Sequence, residues 1–241
     1  MFSKIRFHIT KIYIIVFVTV LNLLNIKWKK VENIYLPFVK SIGFNTLRWI
    51  NNGKYENAEI QIVKAYLDEN DIVLEIGTGL GFISAFCAKK IGSNKVFTFE
   101  ANPLNVDMAK KVFRKNGVNP SLQNAILSLE SGVSEFPVNE KSRLASTIYS
   151  DIKKVAKVNR LNLNEVIENM SPTFLIMDIE GAEYEIFSII KFQTIQKIQV
   201  EMHPAIIGVA KCEKMFKILK YNGFIKANNP PDGRNYYFYK N

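Results

Sequence analysis

The sequence predicts an α/β fold: a doubly wound, mostly parallel sheet with a C-terminal antiparallel hairpin, preceded by an N-terminal apolar helix. Three observations lead there. Beyond about residue 55, short apolar runs alternate with helical segments, the pattern of strands joined by crossover helices. The stretch Leu74 to Ser84 (LEIGTGLGFIS) sets Gly77, Gly79 and Gly81 at alternate positions between two apolar runs. Finally, Pro230-Pro-Asp-Gly233 separates two strand-like runs and reads as a hairpin turn. A chain of 241 residues suits one such domain with an appendage, divided here into a basic, apolar segment (1–30) and the domain proper (31–241).

The first segment carries a charge-free run, residues 12–26 (IYIIVFVTVLNLLNI), between Lys11 and Lys27. A spanning helix needs about 17–25 apolar residues, so the run is short. Three readings stand open: a short membrane anchor, an interfacial helix beside basic residues, and a structural helix packed on the domain or on a partner. Any membrane contact is expected through residues 9–30, where Lys27-Trp28-Lys29-Lys30 suits an anionic leaflet. The formal charge of +10 is concentrated here, with a net +7 in residues 1–64 and only +3 in the remainder. A basic groove on the domain, and with it a nucleic-acid partner, is therefore not expected. Two distant cysteines, Cys87 and Cys212, make no disulfide framework and fit a reducing compartment.

Along the domain, 71–76 (DIVLEI) reads as the first buried strand and 81–91 as a helix ended by Gly92. Residues 95–100 (KVFTFE) form the second strand. A helix over 103–116 follows, with proline in its first turn and Gly117 after its end. Residues 121–127 give a third strand. The segment 128–160 is the least legible; Phe136-Pro-Val138 suits a short edge strand, and Arg143, Ser146 and Thr147 suit a loop lining an acceptor site or a plain surface loop. Then come a helix (163–170), a strand (173–179), a helix (182–190), a strand (195–202) and a helix (209–221) before the closing hairpin.

A glycine-rich turn between strand and helix is where an open α/β sheet receives a nucleotide-like ligand. Gly77 and Gly79 let the backbone turn and approach the ligand, and Gly81 lets the helix pack closely. The spacing G-x-G-x-G is not the G-x-G-x-x-G of dinucleotide folds, and no Lys-Ser/Thr follows as phosphate loops require. Glu100, at the end of the second strand, is placed to accept hydrogen bonds from ribose hydroxyls. Glu75, beside the turn, suits a cationic amino group. Asn102 and Asn124, after the second and third strands, suit the border of an adenosine. A ligand with a ribose, an amino group and no phosphates fits S-adenosyl-L-methionine better than NAD.

These residues carry a resemblance. LEIGTGLGFIS followed by FEANP resembles the class I methyltransferases, and FLIMDIEGAEYEIF with IQVEMHP resembles the FkbM family among them, over residues 53–226. The match begins near Tyr55-Glu56-Asn-Ala-Glu59, and D-x-E-G-x-E is its specific element. The resemblance implies a Rossmann-like methyltransferase sheet, S-adenosyl-L-methionine as cofactor, and O-methylation of hydroxyls on sugars, glycans or small metabolites.

Asp178 and Glu180 end one strand, and Glu201 and His203 end the next, so four polar groups converge on one crevice if those strands are neighbours. His203 is the candidate base, since an imidazole titrates near neutral pH. Asp178 suits the sulfonium or the acceptor hydroxyl. Glu180 and Glu183 suit orienting the acceptor or holding a cation, although no metal is expected, and Glu183 also suits the helix N-terminus that follows. The competing readings are an NAD-dependent oxidoreductase, disfavoured by the glycine spacing, and a non-catalytic membrane-associated scaffold with this fold. The expected location is the cytoplasm, where the cofactor is made, with or without anchoring at the cytoplasmic face of a membrane.

Overall fold

A computed structural model of the chain describes residues 2–138, 155–227 and 233–241. Arg143, Ser146 and Thr147 lie outside the described residues, as do positions 230–232 of the hairpin turn. The chain opens with helix α1 (Phe2–Leu23), a small hairpin of β1 (Trp28–Val31) and β2 (Ile34–Pro37), and helices α2 (Phe44–Asn51) and α3 (Asn57–Tyr66). The central elements are β3 (Val73–Ile76), α4 (Phe82–Ile91), β4 (Val96–Glu100), α5 (Pro103–Asn116), β5 (Ser121–Ser128), β6 (Gly132–Pro137) and β7 (Val155–Asn162). The remainder comprises α6 (Leu163–Met170), β8 (Phe174–Met177), α7 (Glu183–Ile189), β9 (Lys197–Glu201), α8 (Pro204–Ile207), α9 (Val209–Tyr221), β10 (Ile225–Lys226) and β11 (Asn235–Tyr239).

Among the described residues, nine strands form one sheet in the order β10-β11-β9-β8-β3-β4-β5-β7-β6. The run from β9 to β7 is parallel throughout, while β6, β11 and β10 pair antiparallel at the two margins. The central strands VLEI and FLIM are buried at every position, as a sheet covered by helices on both faces requires. Phe174 and Ile176 enter one apolar cluster, with α4 and α5 residues such as Phe82 and Val112; Leu175 and Met177 enter the other, with Ile186 and Met215. Strand order reverses between β3 and β8, which makes the crevice beyond their C-terminal ends the ligand position of this architecture.

Helix α5 matches its expected bounds because both ends are specified: Asn102 caps it by accepting the Leu104 N–H at 3.0 Å, and Gly117 ends it in the left-handed conformation (φ 67°). Helix α1 is held on the domain by Ile14 and Val18, both buried, by Phe17 edge-on to Phe38, and by Asn22 donating to the Phe38 carbonyl at 2.9 Å. The β1–β2 hairpin runs across position 30, where the sequence suggested a division. Among the described residues no helix is long and apolar enough to cross a membrane.

Candidate active site

The glycine turn is a steric solution before it is a binding site. Gly77 has φ 96°, and a Cβ there would lie 1.7 Å from the Asp178 carbonyl oxygen, so only glycine lets the ends of β3 and β8 meet. At Gly81 (φ 80°) a Cβ would sit 2.7 Å from the Phe113 ring and 3.1 Å from Ala109, so this glycine lets α4 pack against α5.

Glu100 fixes the loop above the turn. One carboxylate oxygen accepts the Gly79 N–H at 2.9 Å and the other the Asn102 N–H at 2.7 Å, which ties the β3–α4 and β4–α5 loops together. Asn124 lies opposite Glu100 in the β4–β5 register, and its amide donates to the Glu100 and Ala101 carbonyls at 2.8 and 3.0 Å. Glu75 sits deeper: its carboxylate is buried and takes hydrogen bonds from the Ser84 and Thr98 hydroxyls. Burial pushes both Glu75 and Glu100 up to about 7 despite these donors.

On the other side of the switch point, β8 and β9 are parallel neighbours, and their ends bring Asp178, Glu180, Glu201 and His203 together. The imidazole Nε2 lies 3.4 Å from Glu180, 3.7 Å from Glu201 and 3.8 Å from Asp178. Nδ1 is 2.6 Å from Glu183, whose fully buried carboxylate also accepts the Gly181 N–H at 2.9 Å. That contact holds the D-x-E-G-x-E turn, in which Glu180 takes a left-handed backbone (φ 51°).

Further acids close the crevice. Glu59 of α3 is buried, approaches Glu201, and accepts the Asn235 amide at 3.2 Å; Asn235 in turn accepts from Gln199 at 2.7 Å. Arg234 lies 3.2 Å from Glu201. Burial, then mutual repulsion, holds Asp178 well above the usual carboxylate range, with Glu201, Glu180, Glu59 and Glu56 as the repelling neighbours. The same causes raise Glu201 to about 8, and burial leads the rise of Glu180. Burial alone would lower His203, but its bond to Glu183 and the charges of Glu180, Glu183 and Glu201 outweigh that and raise it. The cluster thus holds protons that an arriving positive charge would displace. Asp178, Glu201 and His203 can each offer a ligand atom within 4.8 Å of the others, so a cation, a proton or the positive part of a ligand would meet the same demand.

Sequence reasoning did not place Arg234 and Asn235 in the site, because β11 reaches it only through its antiparallel pairing with β9. It singled out Glu56 and Glu59 only through the resemblance of the YENAE segment.

The fold and the crevice define a class, that of Rossmann-like methyltransferases, with a glycine turn after the first parallel strand, an acid at the end of the next and an acidic pocket in place of a phosphate loop. Residues 71–226 match the model of the methyltransferase FkbM domain, and the chain belongs to that family. Among curated proteins, it is 27% identical over 140 residues to an uncharacterised Methanocaldococcus jannaschii protein, covering 58% of this chain and 48% of that one. A putative protein N5-glutamine methyltransferase of the same organism is 46% identical over 70 residues (28% of this chain, 35% of the other). The ribosomal protein L11 methyltransferase of Dictyoglomus thermophilum is 31% identical over 100 residues (41% and 33%). The chain therefore spans about half, or less, of the length of these relatives. The solved structure of an FkbM methyltransferase from Methylobacillus flagellatus shares the fold at a TM-score of 0.51 and 13% identity, over 81% of this chain and 53% of that one.

Proposed function

We propose that the chain is an S-adenosyl-L-methionine-dependent O-methyltransferase acting on a hydroxyl of a sugar, glycan or small metabolite. The observation that carries this reading is the ring of Asp178, Glu180 and Glu201 around the His203 Nε2, set beside the Gly77 turn. The cofactor fits the residues present. Asp178 Oδ1 is buried without a hydrogen-bond partner, which suits a positive centre, while Glu100 suits the ribose diol. The same acidity disfavours a dinucleotide, whose pyrophosphate would face carboxylates.

When bound, the cofactor supplies a methyl group already activated on a sulfonium. Glu75, Gly77, Gly79, Gly81, Glu100, Asn102 and Asn124 hold or shape its side of the crevice, the first and the last two from behind the loop backbone. Asp178 faces the positive charge, and Glu180 orients the acceptor hydroxyl, because positioning supplies most of the acceleration in such transfers. Glu183 keeps the Nδ1 hydrogen of His203 in place, which leaves the Nε2 lone pair to take the acceptor's proton. Positive charge entering the crevice offsets the carboxylates that raise His203 and so favours its neutral, basic form. The cofactor is a cytosolic metabolite, and the reading places the domain in the cytoplasm.

The test is calorimetric titration of the full chain with S-adenosylhomocysteine, beside Glu100→Ala. Micromolar binding that weakens at least tenfold in the variant supports the reading. A folded protein that does not bind the ligand refutes it and leaves the scaffold reading in its place.

A further inference from the structure

We propose that the outward face of α1 is a docking surface for an anionic lipid bilayer, on which the helix lies in the plane of the interface. The helix is apolar on two sides. Ile14 and Val18 face the domain and are buried. Ile12, Tyr13, Val16, Val20 and Leu23, with Leu24 just beyond, form a second stripe at helical spacing, between 49% and 82% exposed. A stripe of that extent needs a partner.

Charge selects the partner. Exposed Lys11 and Lys27 bracket the stripe, exposed Lys30 and Lys40 follow, and no Asp or Glu occurs in residues 1–31. The first acid, Glu32, is already paired with Lys64 at 3.0 Å. A second copy of this face would bring lysines against lysines in either helix orientation. An anionic leaflet meets both the apolar stripe and its basic ends. Length fixes the mode. From Ile12 to Leu23 the stripe covers about 17 Å of helix, little more than half of a hydrocarbon core. Vertical insertion would also strip Ile14 and Val18 from the domain. Contact is therefore shallow, reversible and independent of the chemistry in the crevice.

The experiment is vesicle flotation of the full chain with neutral phosphatidylcholine vesicles and with vesicles containing about a third phosphatidylglycerol, at low and high salt. Two double variants accompany it: Val16→Glu with Val20→Glu, and Lys27→Glu with Lys30→Glu. All four positions are at the surface, and unchanged melting and S-adenosylhomocysteine binding would show that each variant is folded. The expected result is binding to the anionic vesicles at least tenfold above the neutral ones, loosened by salt. The valine variant should lose it, and the lysine variant should weaken it about 30-fold or more, from about fivefold per lysine. Equal binding to both vesicle types, or unaltered binding by the valine variant, would overturn the proposal. So would a concentration-dependent dimer that the valine variant abolishes, since the face would then belong to a second copy.

Discussion

Replacing Gly77 by alanine should damage this protein more than the loss of any glycine in open space, and the structure says by how much. The new Cβ would lie 1.7 Å from the Asp178 carbonyl oxygen and 2.8 Å from its carbon. Both are backbone atoms at the ends of two paired central strands, so no flexible side chain can move aside. Reaching ordinary contact at 3.4 Å requires β3 and β8 to part by about 1.7 Å. The left-handed conformation adds about 1–2 kcal/mol for a residue with a Cβ, and overpacking about 1–3 kcal/mol. Together the expected loss is about 2–5 kcal/mol, a large share of a typical total of about 5–15 kcal/mol. Gly117→Ala is the matched control: it has a positive φ of 67° but nothing within 4 Å, so only the conformational cost of about 1–2 kcal/mol applies. Urea unfolding of the two variants and the parent gives the comparison, read as a midpoint shift at constant slope. Gly77→Ala should also lose methyl transfer beyond its loss of stability, because Asp178 is the residue displaced. Equal midpoints for the two variants, with cofactor binding kept, would refute the claim that Gly77 exists for the β3–β8 approach.

Other outcomes follow from the charges. Glu75 and Glu100 are held protonated up to about 7, against an ordinary 4.5, so the folded state binds more protons between those values. Stability of the cofactor-free protein should therefore be fully expressed below pH 4.5 as far as these groups are concerned, and fall as pH rises to about 7, by about 3 kcal/mol for each group. Denaturation midpoints at pH 5 and 7.5 check this, and Glu75→Gln should flatten the difference; a profile rising with pH would contradict it. Glu183→Gln removes a charge that raises His203, so the acid limb of the pH–rate profile should move to lower pH while the plateau rate falls. An unmoved limb would take His203 out of the proton-accepting role. Asp178→Asn should cut turnover at least 100-fold while S-adenosylhomocysteine, which carries no sulfonium, still binds; retained turnover would relocate the chemistry.

The core of the sheet was legible because its strands are buried on both faces and so appear as unbroken apolar runs, VLEI and FLIM above all. Helix ends were legible where proline and glycine stand at them, as around α5. The segment 128–160 resisted reading because β7 buries only Val158 fully, and its sequence VAKVNRLN has neither the alternation of a half-buried strand nor the continuity of a central one. Residues 12–26 were ambiguous for a physical reason: a helix apolar on two faces carries the same pattern whether its partner is protein, lipid or both.

In the crevice, Glu100, Asp178 and His203 could be placed from local motifs because each stands at or just beyond the end of a recognisable strand. Asn102 and Asn124 do bracket the Glu100 loop, but through a helix cap and through bonds to backbone carbonyls. Glu75 turns toward Ser84 and Thr98, a direction that no spacing encodes. The meeting of Glu59 with Asn235 joins positions 176 residues apart, and only the complete sheet brings them together.

That last contact bears on how the protein comes to be active during synthesis. A ribosome delivers the glycine turn and Glu100 well before the strand that completes the acidic crevice. The acidic crevice waits for β11, which emerges well after both and brings Asn235 to Glu59 and Arg234 to Glu201. A message with a premature stop before residue 235 would leave those carboxylates facing one another without either partner, and β9 with an open edge. Such a product would be exposed to aggregation and proteolysis, so that truncation ahead of β11 would take away the crevice and the sheet edge together.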